Sequence, residues 1–392
     1  MKLLVVGCKL QGTEAIYLAK KAGFFVTAID HNVLSCGCNL ADCFLNGDVY
    51  DSSLMIELFK KNDAVLPAVE DVSVCRKLIK YGKITNTPVI FDENAYNISS
   101  SKEKSNMLFK KLGLPVPLPY PECEFPVMIK PDNQSGSSGV EKASSVDEMK
   151  QYLEQAKSKC VIQEYLEGRS FSLEVLSWNG TVCFPMITEV LMDKDYDCNR
   201  IVAPAKISED EEKQMYQIAE SLVNSLNIKG IFDIEVISHH GTLKLLEIDA
   251  RLPSQTPIAV YHSSGFNMVE WLIKRSLNLP VKPPSKSNKV CWYQQILVSP
   301  EKICVLGEHI MTIGSPLHHE YDFFGADEAL TDYTLQCNGK FRATVIIYGT
   351  SEEEVSNKFM NMVQKIQKRF CIPKFEDSYL SKTLKGELLC QG

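Results

Sequence analysis

The N-terminal part of the chain alternates between short apolar runs and amphipathic stretches. Apolar runs at 3–6, 24–29 and 63–67 predict three strands, and the pattern over 13–21 predicts a helix that stops before Gly23. Strands that alternate with helices indicate a parallel, doubly wound α/β domain.

The rest of the chain has longer strand patterns around a few helices. The periodicity predicts helices over 101–112, 210–226 and 352–370, and strands over 127–130, 161–164 and much of 170–250. A proline-rich segment at 280–287 is typical of a linker. Together the patterns predict a chain of mixed α/β and α+β class.

Four carboxylates and one guanidinium fall on a single predicted β-hairpin. Asp233 shares a face of the first strand with Glu235, because side chains two residues apart point the same way. On the second strand Glu247, Asp249 and Arg251 share a face for the same reason. A three-residue loop between the strands would gather all four acids on one face, whereas a two-residue turn would send them to opposite faces.

Acids gathered on one face of a sheet repel one another unless a cation neutralises them. Carboxylate oxygens are hard ligands that suit Mg²⁺. The alternative is an ordinary amphipathic hairpin whose acids lie in water.

Composition narrows the class of protein. Of 392 residues, 45% are hydrophobic and 23% are charged, which is typical of a globular protein, and the net charge of −7 argues against a general nucleic-acid binder. No apolar run approaches the ~18 residues of a membrane span. The 14 cysteines lack metal-binding spacing and are expected to be reduced. We therefore expect a cytoplasmic protein with small-molecule substrates, and no nucleic-acid or membrane partner; the oligomeric state is not readable.

The loop from Gly7 to Gly12 lies between the first strand and helix, where a dinucleotide fingerprint would stand. Lys9 replaces the middle glycine, and its side chain should obstruct a pyrophosphate, which weakens a nicotinamide interpretation. The exposed N–H groups of the helix start, with Lys9 and Gln11, suit a carboxylate or phosphate. A turn that merely joins strand to helix is the alternative.

Two further segments suggest a nucleotide. A Gly/Ser-rich loop, 132–140, follows the strand that ends in Lys130, and small residues let backbone N–H groups approach phosphates. The extended segment 163–168 can pair with a purine through its backbone, or it can be an acidic hinge without a ligand.

Taken in order, these pieces resemble the ATP-grasp superfamily, and within it the amino-acid ligases of pyrrolysine biosynthesis. The likeness runs from Lys102 through Lys130, the Gly/Ser loop and the linker to the acidic hairpin, and the string from Asp249 to Pro257 is its most specific part. Tyr196-Asp-Cys198 and Tyr261-x-Ser-Ser-Gly265 add to it. The resemblance implies a pre-ATP-grasp domain (1–97), an ATP-grasp domain (98–285, with subdomains of about 98–166 and 167–285) and a small C-terminal α+β domain (286–392).

The resemblance also implies roles for individual residues. ATP and Mg²⁺ are the implied cofactors. The implied metal ligands are Glu235, Glu247 and Asp249, and Arg251 is the implied catalytic residue. The implied ATP-binding residues are Lys102, Lys130, Ser135, Gly136, Ser137, Gln163, Glu164, Tyr165, Leu166 and Glu167.

The implied reaction joins 3-methyl-D-ornithine, activated as an acyl phosphate, to the side-chain amine of L-lysine. For the ornithine-like substrate the candidates are Glu174, Asp233, Arg251 and Ser254. For lysine they are Lys9, Leu10, Gln11 and Glu70. Three other interpretations stay open: a carboxylase-type or other ATP-grasp enzyme, a nicotinamide-dependent oxidoreductase, and an amino-acid sensor without catalysis.

Overall fold

The structure is a computed structural model that describes residues 1–133, 136, 138–156 and 158–377. It contains two compact units. The first consists of residues 1–90, 190–204 and 253–377, and the second of the described residues of 91–189 and 205–252. The first unit includes 253–285, which the sequence assigns to the middle domain; the predicted three-domain division stays a prediction.

A four-stranded parallel sheet begins the first unit. Its strands are β1 (Lys2–Val6), β2 (Phe25–Asp30), β3 (Cys43–Asn46) and β4 (Ala64–Pro67), in the order β3-β2-β1-β4. The accompanying helices are Leu10–Lys21, Ser52–Lys61 and Val72–Thr85. The prediction of an alternating α/β domain is confirmed. The sequence missed β3, because this short edge strand is only partly buried and lacks an apolar alternation.

The remainder of the first unit is a mostly antiparallel assembly. Its strands, in pairing order, are Cys198–Ala203, Val290–Val298, Phe341–Gly349, Ala326–Thr331 and His318–Phe323. Lys302–Leu306 pairs with Val290–Val298 and also with Lys374–Glu376. The helices are Thr256–Ser264, Met268–Ser276 and Glu352–Phe370, and 3-10 turns lie at Cys38–Leu40 and Glu308–Thr312. The long helix buries Phe359 and Ile366 against Trp292 and Ile347 of the sheet.

The second unit has two sheets. The smaller contains Glu141–Ala143, Val127–Pro131 and Cys160–Glu164 in that order, with helices Glu93–Ser99, Lys102–Lys111 and Val146–Gln155. The larger places Thr242–Asp249 beside Gly230–His239 and then Arg169–Trp178, with Thr181–Cys183 at the side, and carries helix Glu209–Leu226. Strand Ile187–Met192 lies where the chain passes to the first unit.

Among the described residues, no helix is both long and apolar enough to cross a membrane.

Candidate active site

The acidic hairpin of the second unit brings its carboxylates together. Asp233 pairs with Asp249, and Glu235 pairs with Glu247. Cross-strand partners lie on the same face of a sheet, so all four acids share one face. The hairpin nevertheless has a two-residue turn, His240-Gly241, and the three-residue loop considered from the sequence does not form. A bulge between the two halves of the ladder restores the register that gathers the acids.

Two lysines from the smaller sheet and its helix lie against these acids. Lys102, the first residue of helix Lys102–Lys111, forms an ion pair with Glu247 at 3.3 Å. Lys130, on strand Val127–Pro131, interacts electrostatically with Glu247 and Glu235. The predicted phosphate-binding lysines and the predicted metal-binding acids therefore form one charged cluster.

The pKa values of the cluster reflect burial and crowding. Burial and the neighbouring Glu247 raise the pKa of Glu235 to about 8, although Lys130 acts in the opposite sense. Burial opposes ionisation of Glu247 too, but Lys102 and Lys130 outweigh it and lower the pKa of this carboxyl. Burial lowers the pKa of the Lys130 ammonium. The two lysines therefore favour the ionised form of Glu247, whereas burial and Glu247 favour the protonated form of Glu235.

The donor set fits Mg²⁺ only in combination with a substrate. Within the described ranges, no group of three or more His, Cys, Asp or Glu side chains could hold a metal ion by itself. Magnesium in proteins commonly takes one or two carboxylates and completes its shell with waters and substrate phosphates. The paired Glu235 and Glu247 meet that requirement, and a dication beside them would relieve the repulsion that raises the pKa of Glu235.

Asp132 sets the position of Lys102, and sequence reasoning missed it. It follows Lys130 by two residues, and its carboxylate accepts hydrogen bonds from the Ser101 hydroxyl at 3.1 Å and the Glu103 N–H at 2.8 Å. Its carbonyl accepts from the Lys102 N–H at 3.2 Å. A buried carboxylate thus joins the end of one lysine's strand to the start of the other lysine's helix. The sequence feature that could have identified Asp132 is an acidic residue two positions after a strand lysine.

The predicted adenine segment is tied to its surroundings. The Glu164 N–H donates to the Leu118 carbonyl at 2.8 Å, and the Tyr165 N–H donates to Pro126 at 3.3 Å. Gln163 and Leu166 are buried, whereas Glu167 is exposed. A backbone contact from Glu164 to a base would therefore use its carbonyl. Of the predicted phosphate loop, Gly136 has a positive φ of 58°, and Ser135 and Ser137 lie outside the described residues.

Candidates for the ornithine-like substrate lie next to the metal-binding acids. Glu174 is fully buried and pairs across the sheet with Asp233. Burial, then the charges of Asp249 and Glu235, raise the pKa of Asp233 well above its usual range. Arg251 Nε lies 2.8 Å from the Asp249 carboxylate. This end of the hairpin therefore offers two buried acids and one guanidinium.

The N-terminal loop of the first unit is built by close backbone packing. A Cβ on Gly12 would lie 2.1 Å from the Gly7 carbonyl, so only glycine fits there. Within the loop, Gln11 Nε2 donates to the Glu70 carboxylate at 2.8 Å. Lys9 and Glu70 are exposed, and Leu10 is half-buried.

A pocket in the first unit unites residues that are far apart in sequence. Its cavity volume is about 10 Å³, enough for a single water molecule, and its lining includes Leu10, Ser254, Tyr293, Gln295, Glu308 and Met311. Ser254, which the sequence assigns to the ornithine-like substrate, therefore shares this pocket with Leu10, which it assigns to lysine. Lys9, Gln11 and Glu70 are not part of this lining. The sequence analysis did not identify Glu308, because this residue belongs to no recognisable motif.

Comparisons with known proteins identify the family of the chain. The ATP-grasp domain model matches residues 99–255. The 3-methyl-D-ornithine–L-lysine ligase of Methanosarcina barkeri is 34% identical, over 94% of this chain and 98% of the relative. The corresponding ligase of Methanosarcina acetivorans is 33% identical over the same shares.

A solved structure shows the same fold at much lower identity. The ADP complex of N5-carboxyaminoimidazole ribonucleotide synthetase has a TM-score of 0.71 and 16% identity, and the match covers 92% of this chain and 96% of that one. The fold class expected from the sequence is thereby confirmed. The two Methanosarcina ligases are similar to this chain over 94% of its length, at 34% and 33% identity. The chain therefore belongs to the family of 3-methyl-D-ornithine–L-lysine ligases, which are carboxylate–amine ligases of the ATP-grasp type.

Proposed function

We propose that the protein uses ATP to join the carboxylate of 3-methyl-D-ornithine to the side-chain amine of L-lysine, as a cytoplasmic step of pyrrolysine biosynthesis. The observation that carries the proposal is the ion pair of Lys102 and Glu247, set beside Lys130 and beside Glu235, which pairs with Glu247 across the hairpin. Cations for phosphate and acids for a metal ion meet there, as phosphoryl transfer requires.

In this proposal Lys102 and Lys130 hold the phosphates of ATP. The Gly/Ser loop, of which Gly136 is described and Ser135 and Ser137 are not, is the proposed source of further phosphate contacts, and the segment from Gln163 to Glu167 holds the nucleoside. Glu235 and Glu247 would hold Mg²⁺ together with the phosphates, and the ion would neutralise phosphoryl charge. Asp249, the third metal ligand expected from the sequence, lies beside Arg251, and we propose that it orients this guanidinium.

The ornithine-like substrate is proposed to bind at the end of the acidic hairpin. Its ammonium groups suit Glu174 and Asp233, since buried acids need cations, and its carboxylate suits Arg251. A guanidinium there can also stabilise the charge that develops on the reacting carboxyl group.

Lysine is proposed to bind in the first unit. The candidate residues are Leu10, which is half-buried, and three polar residues around the helix start. Lys9, Gln11 and Glu70, with the N–H groups of the helix start, form the candidate surface for the substrate carboxylate and α-amine.

The chemistry follows from the unreactive states of the substrates. A carboxylate and an ammonium ion do not condense at neutral pH, so ATP first phosphorylates the carboxylate to an acyl phosphate and leaves as ADP. The lysine side-chain amine, whose ordinary pKa is ~10.4, must lose a proton before it attacks the acyl carbon. The amide then forms as inorganic phosphate departs.

Mass spectrometry of the products tests this proposal. The enzyme is incubated with ATP, Mg²⁺, 3-methyl-D-ornithine and lysine labelled with ¹⁵N on its side chain, and single substrates are omitted in turn. We expect one condensation product with the label in its amide nitrogen, and ADP release that needs both amino acids. ADP release that needs bicarbonate instead would favour a carboxylase-type enzyme.

Arg251→Ala is the matched inactive control. Because loss of one charge-stabilising donor typically costs ~10²–10³ in rate, we expect ligation to fall by at least that factor while ATP still binds. Normal turnover by this variant would contradict the role of Arg251.

A further inference from the structure

The short helix Glu93–Ser99, which we call the bracing helix, is hydrogen-bonded next to the open ends of both strands of the acidic hairpin. At its start, the Asp92 carboxylate accepts from two N–H groups of the helix's own first turn and from the Lys229 N–H at 3.1 Å. Lys229 directly precedes strand Gly230–His239, which carries two of the four acids. The start of the bracing helix is therefore fixed to the first strand of the hairpin.

The last residue of the bracing helix bonds to the chain that leaves the second strand. The ladder of the hairpin ends at Asp249, and the next N–H group, that of Ala250, donates to the Ser99 hydroxyl at 3.0 Å. The same hydroxyl donates to the Tyr96 carbonyl of its own helix at 3.4 Å, which orients it. Ala250 is buried and directly precedes Arg251. Ser99 therefore fixes the peptide group that joins the ladder to this arginine.

The start of the helix that carries Lys102 has contacts of its own. The Ser101 N–H donates to the Ile98 carbonyl at 3.3 Å, and the Asp132 carboxylate accepts from the Ser101 hydroxyl at 3.1 Å. Neither bond involves the Ser99 side chain. A change at Ser99 should therefore affect the end of the acidic hairpin and leave the lysine that is assigned to ATP in place.

We propose that Ser99 is a positioning residue for the ligation reaction: its hydroxyl holds residues 250–252, which we call the Arg251 segment, where the guanidinium can meet the carboxylate of the ornithine-like substrate. The proposal rests on the proposed function, which assigns that carboxylate to Arg251. Arg251 lies beyond the last pair of the ladder, so strand pairing does not fix its backbone. Ser99 acts through the Ala250 N–H and is therefore a positioning residue, not a catalytic one.

The test compares Ser99→Ala with Ser221→Ala in the full-length enzyme. Ser221 also lies in the second unit, and its hydroxyl likewise donates to a carbonyl of its own helix, that of Gln217, at 2.8 Å. Ser99→Thr, which keeps the hydroxyl, is the conservative variant. Two quantities are measured: amide hydrogen exchange of a peptide that covers 248–252, and the calorimetric Kd values of 3-methyl-D-ornithine and of a non-hydrolysable ATP analogue, both with Mg²⁺.

We expect Ser99→Ala to speed exchange in 248–252 and to raise the Kd for 3-methyl-D-ornithine about tenfold, with the Kd for the ATP analogue unchanged. A buried N–H group that loses its acceptor is unfavourable, so the Arg251 segment rearranges in the free enzyme. Part of the binding free energy of the substrate is then used to restore it, and a tenfold loss corresponds to about 1.4 kcal/mol. Ser221→Ala should match the wild type, and Ser99→Thr should bind the substrate nearly as tightly as the wild type.

A double-mutant cycle tests whether the effect passes through the guanidinium. If it does, Ser99→Ala should weaken substrate binding about tenfold in the wild type and leave it nearly unchanged in the Arg251→Ala background. A tenfold loss in both backgrounds contradicts the proposal, because Ser99 would then act independently of Arg251.

The remaining outcomes also decide the question. Unchanged exchange in Ser99→Ala, or faster exchange with an unchanged Kd for 3-methyl-D-ornithine, overturns the positioning role. If Ser99→Ala does not fold, Ser99→Cys takes its place, because a thiol of similar size is only a weak acceptor, and wild-type exchange and Kd in that variant overturn the role. If the wild type binds the ATP analogue but not 3-methyl-D-ornithine, the proposed function fails and the role in substrate binding fails with it, whereas exchange in 248–252 still shows whether the hydroxyl holds the Arg251 segment.

Discussion

Acidification from pH 6.5 to pH 4 is expected to destabilise the first unit through one buried histidine, His262. Its imidazole is 6% exposed, contacts the Tyr17 hydroxyl at 2.6 Å and stacks on Tyr348 with ring centroids 4.9 Å apart. Burial lowers the pKa of His262 from 6.5 to about 4, although the nearby Glu328 acts in the opposite direction. The folded protein therefore excludes a proton that the unfolded chain accepts.

The sign and size of the effect follow from this pKa. Between pH 6.5 and 4 the unfolded state binds one more proton than the folded state at this site, so stability falls as the pH falls. Each pH unit costs about 1.4 kcal/mol, which gives about 2 kcal/mol at pH 5 and about 3 kcal/mol by pH 4. The neighbouring Glu328 does not add to the loss at pH 5. Burial opposes its ionisation, but hydrogen bonds from His319, Lys21 and Tyr17 lower its pKa to about 2, so its contribution is lost only between about pH 4.5 and 2.

Urea unfolding followed by intrinsic fluorescence at pH 7.0, 6.0 and 5.0 measures the slope. His262→Gln keeps a hydrogen-bonding side chain but cannot titrate, so its free energy of unfolding should decrease less as the pH falls. The difference in slope corresponds to the uptake of about one proton on unfolding. His31→Gln is the control, because that imidazole is 83% exposed and lies in the same unit. Equal slopes for wild type and His262→Gln would refute the assignment of the excluded proton to this residue.

Two further predictions concern the geometry of the substrate sites. Asp132→Ala should raise the KM for ATP about tenfold, because the carboxylate that places Lys102 is lost; steady-state kinetics at saturating amino acids measures it, and an unchanged KM contradicts the role. Gly12→Ala should destabilise the first unit by about 1–3 kcal/mol in urea unfolding, since the new Cβ meets the Gly7 carbonyl at 2.1 Å. An ordinary exposed helix position would instead gain stability from this change, so a stabilised variant would show that the loop relaxes freely.

The sequence predicts elements well where one strong periodicity decides them. The helix at 352–370 forms as predicted, because its apolar positions recur every three to four residues and Ser351 caps its start. Side-chain alternation predicts only that the acids of one strand share a face; the acids of the two strands come together through a bulge that the sequence analysis did not include. Their meeting with Lys102 and Lys130 followed from family resemblance, since no local pattern relates residue 102 to residue 247.

The pocket of the first unit could not be predicted from local sequence patterns. Its lining comes from residues as distant as Leu10, Ser254 and Glu308, each of which reads as an ordinary loop or helix residue in its own segment. Long-range pairing of strands brings them together, and the sequence gives no local measure of which strands pair. His319 is similar: it lies in an exposed-looking His-His pair, yet its imidazole bonds to the buried Glu328 at 2.6 Å.

The register of the acidic hairpin was readable in principle, because the apolar alternation of its second strand changes phase. Leu243 and Leu245 are buried at odd positions, whereas Ile248 is buried at an even one, so one extra residue must lie between them. Leu246 is that residue: the two-residue turn pairs His239 with Thr242, and the bulge then shifts the ladder so that Glu247 faces Glu235. With the same two-residue turn but no bulge, either the leucines would leave the buried face or the acids of the second strand would leave the face that carries Asp233 and Glu235. The bulge is therefore what allows a buried apolar face near the turn and a gathered acidic face at the site to coexist on one strand.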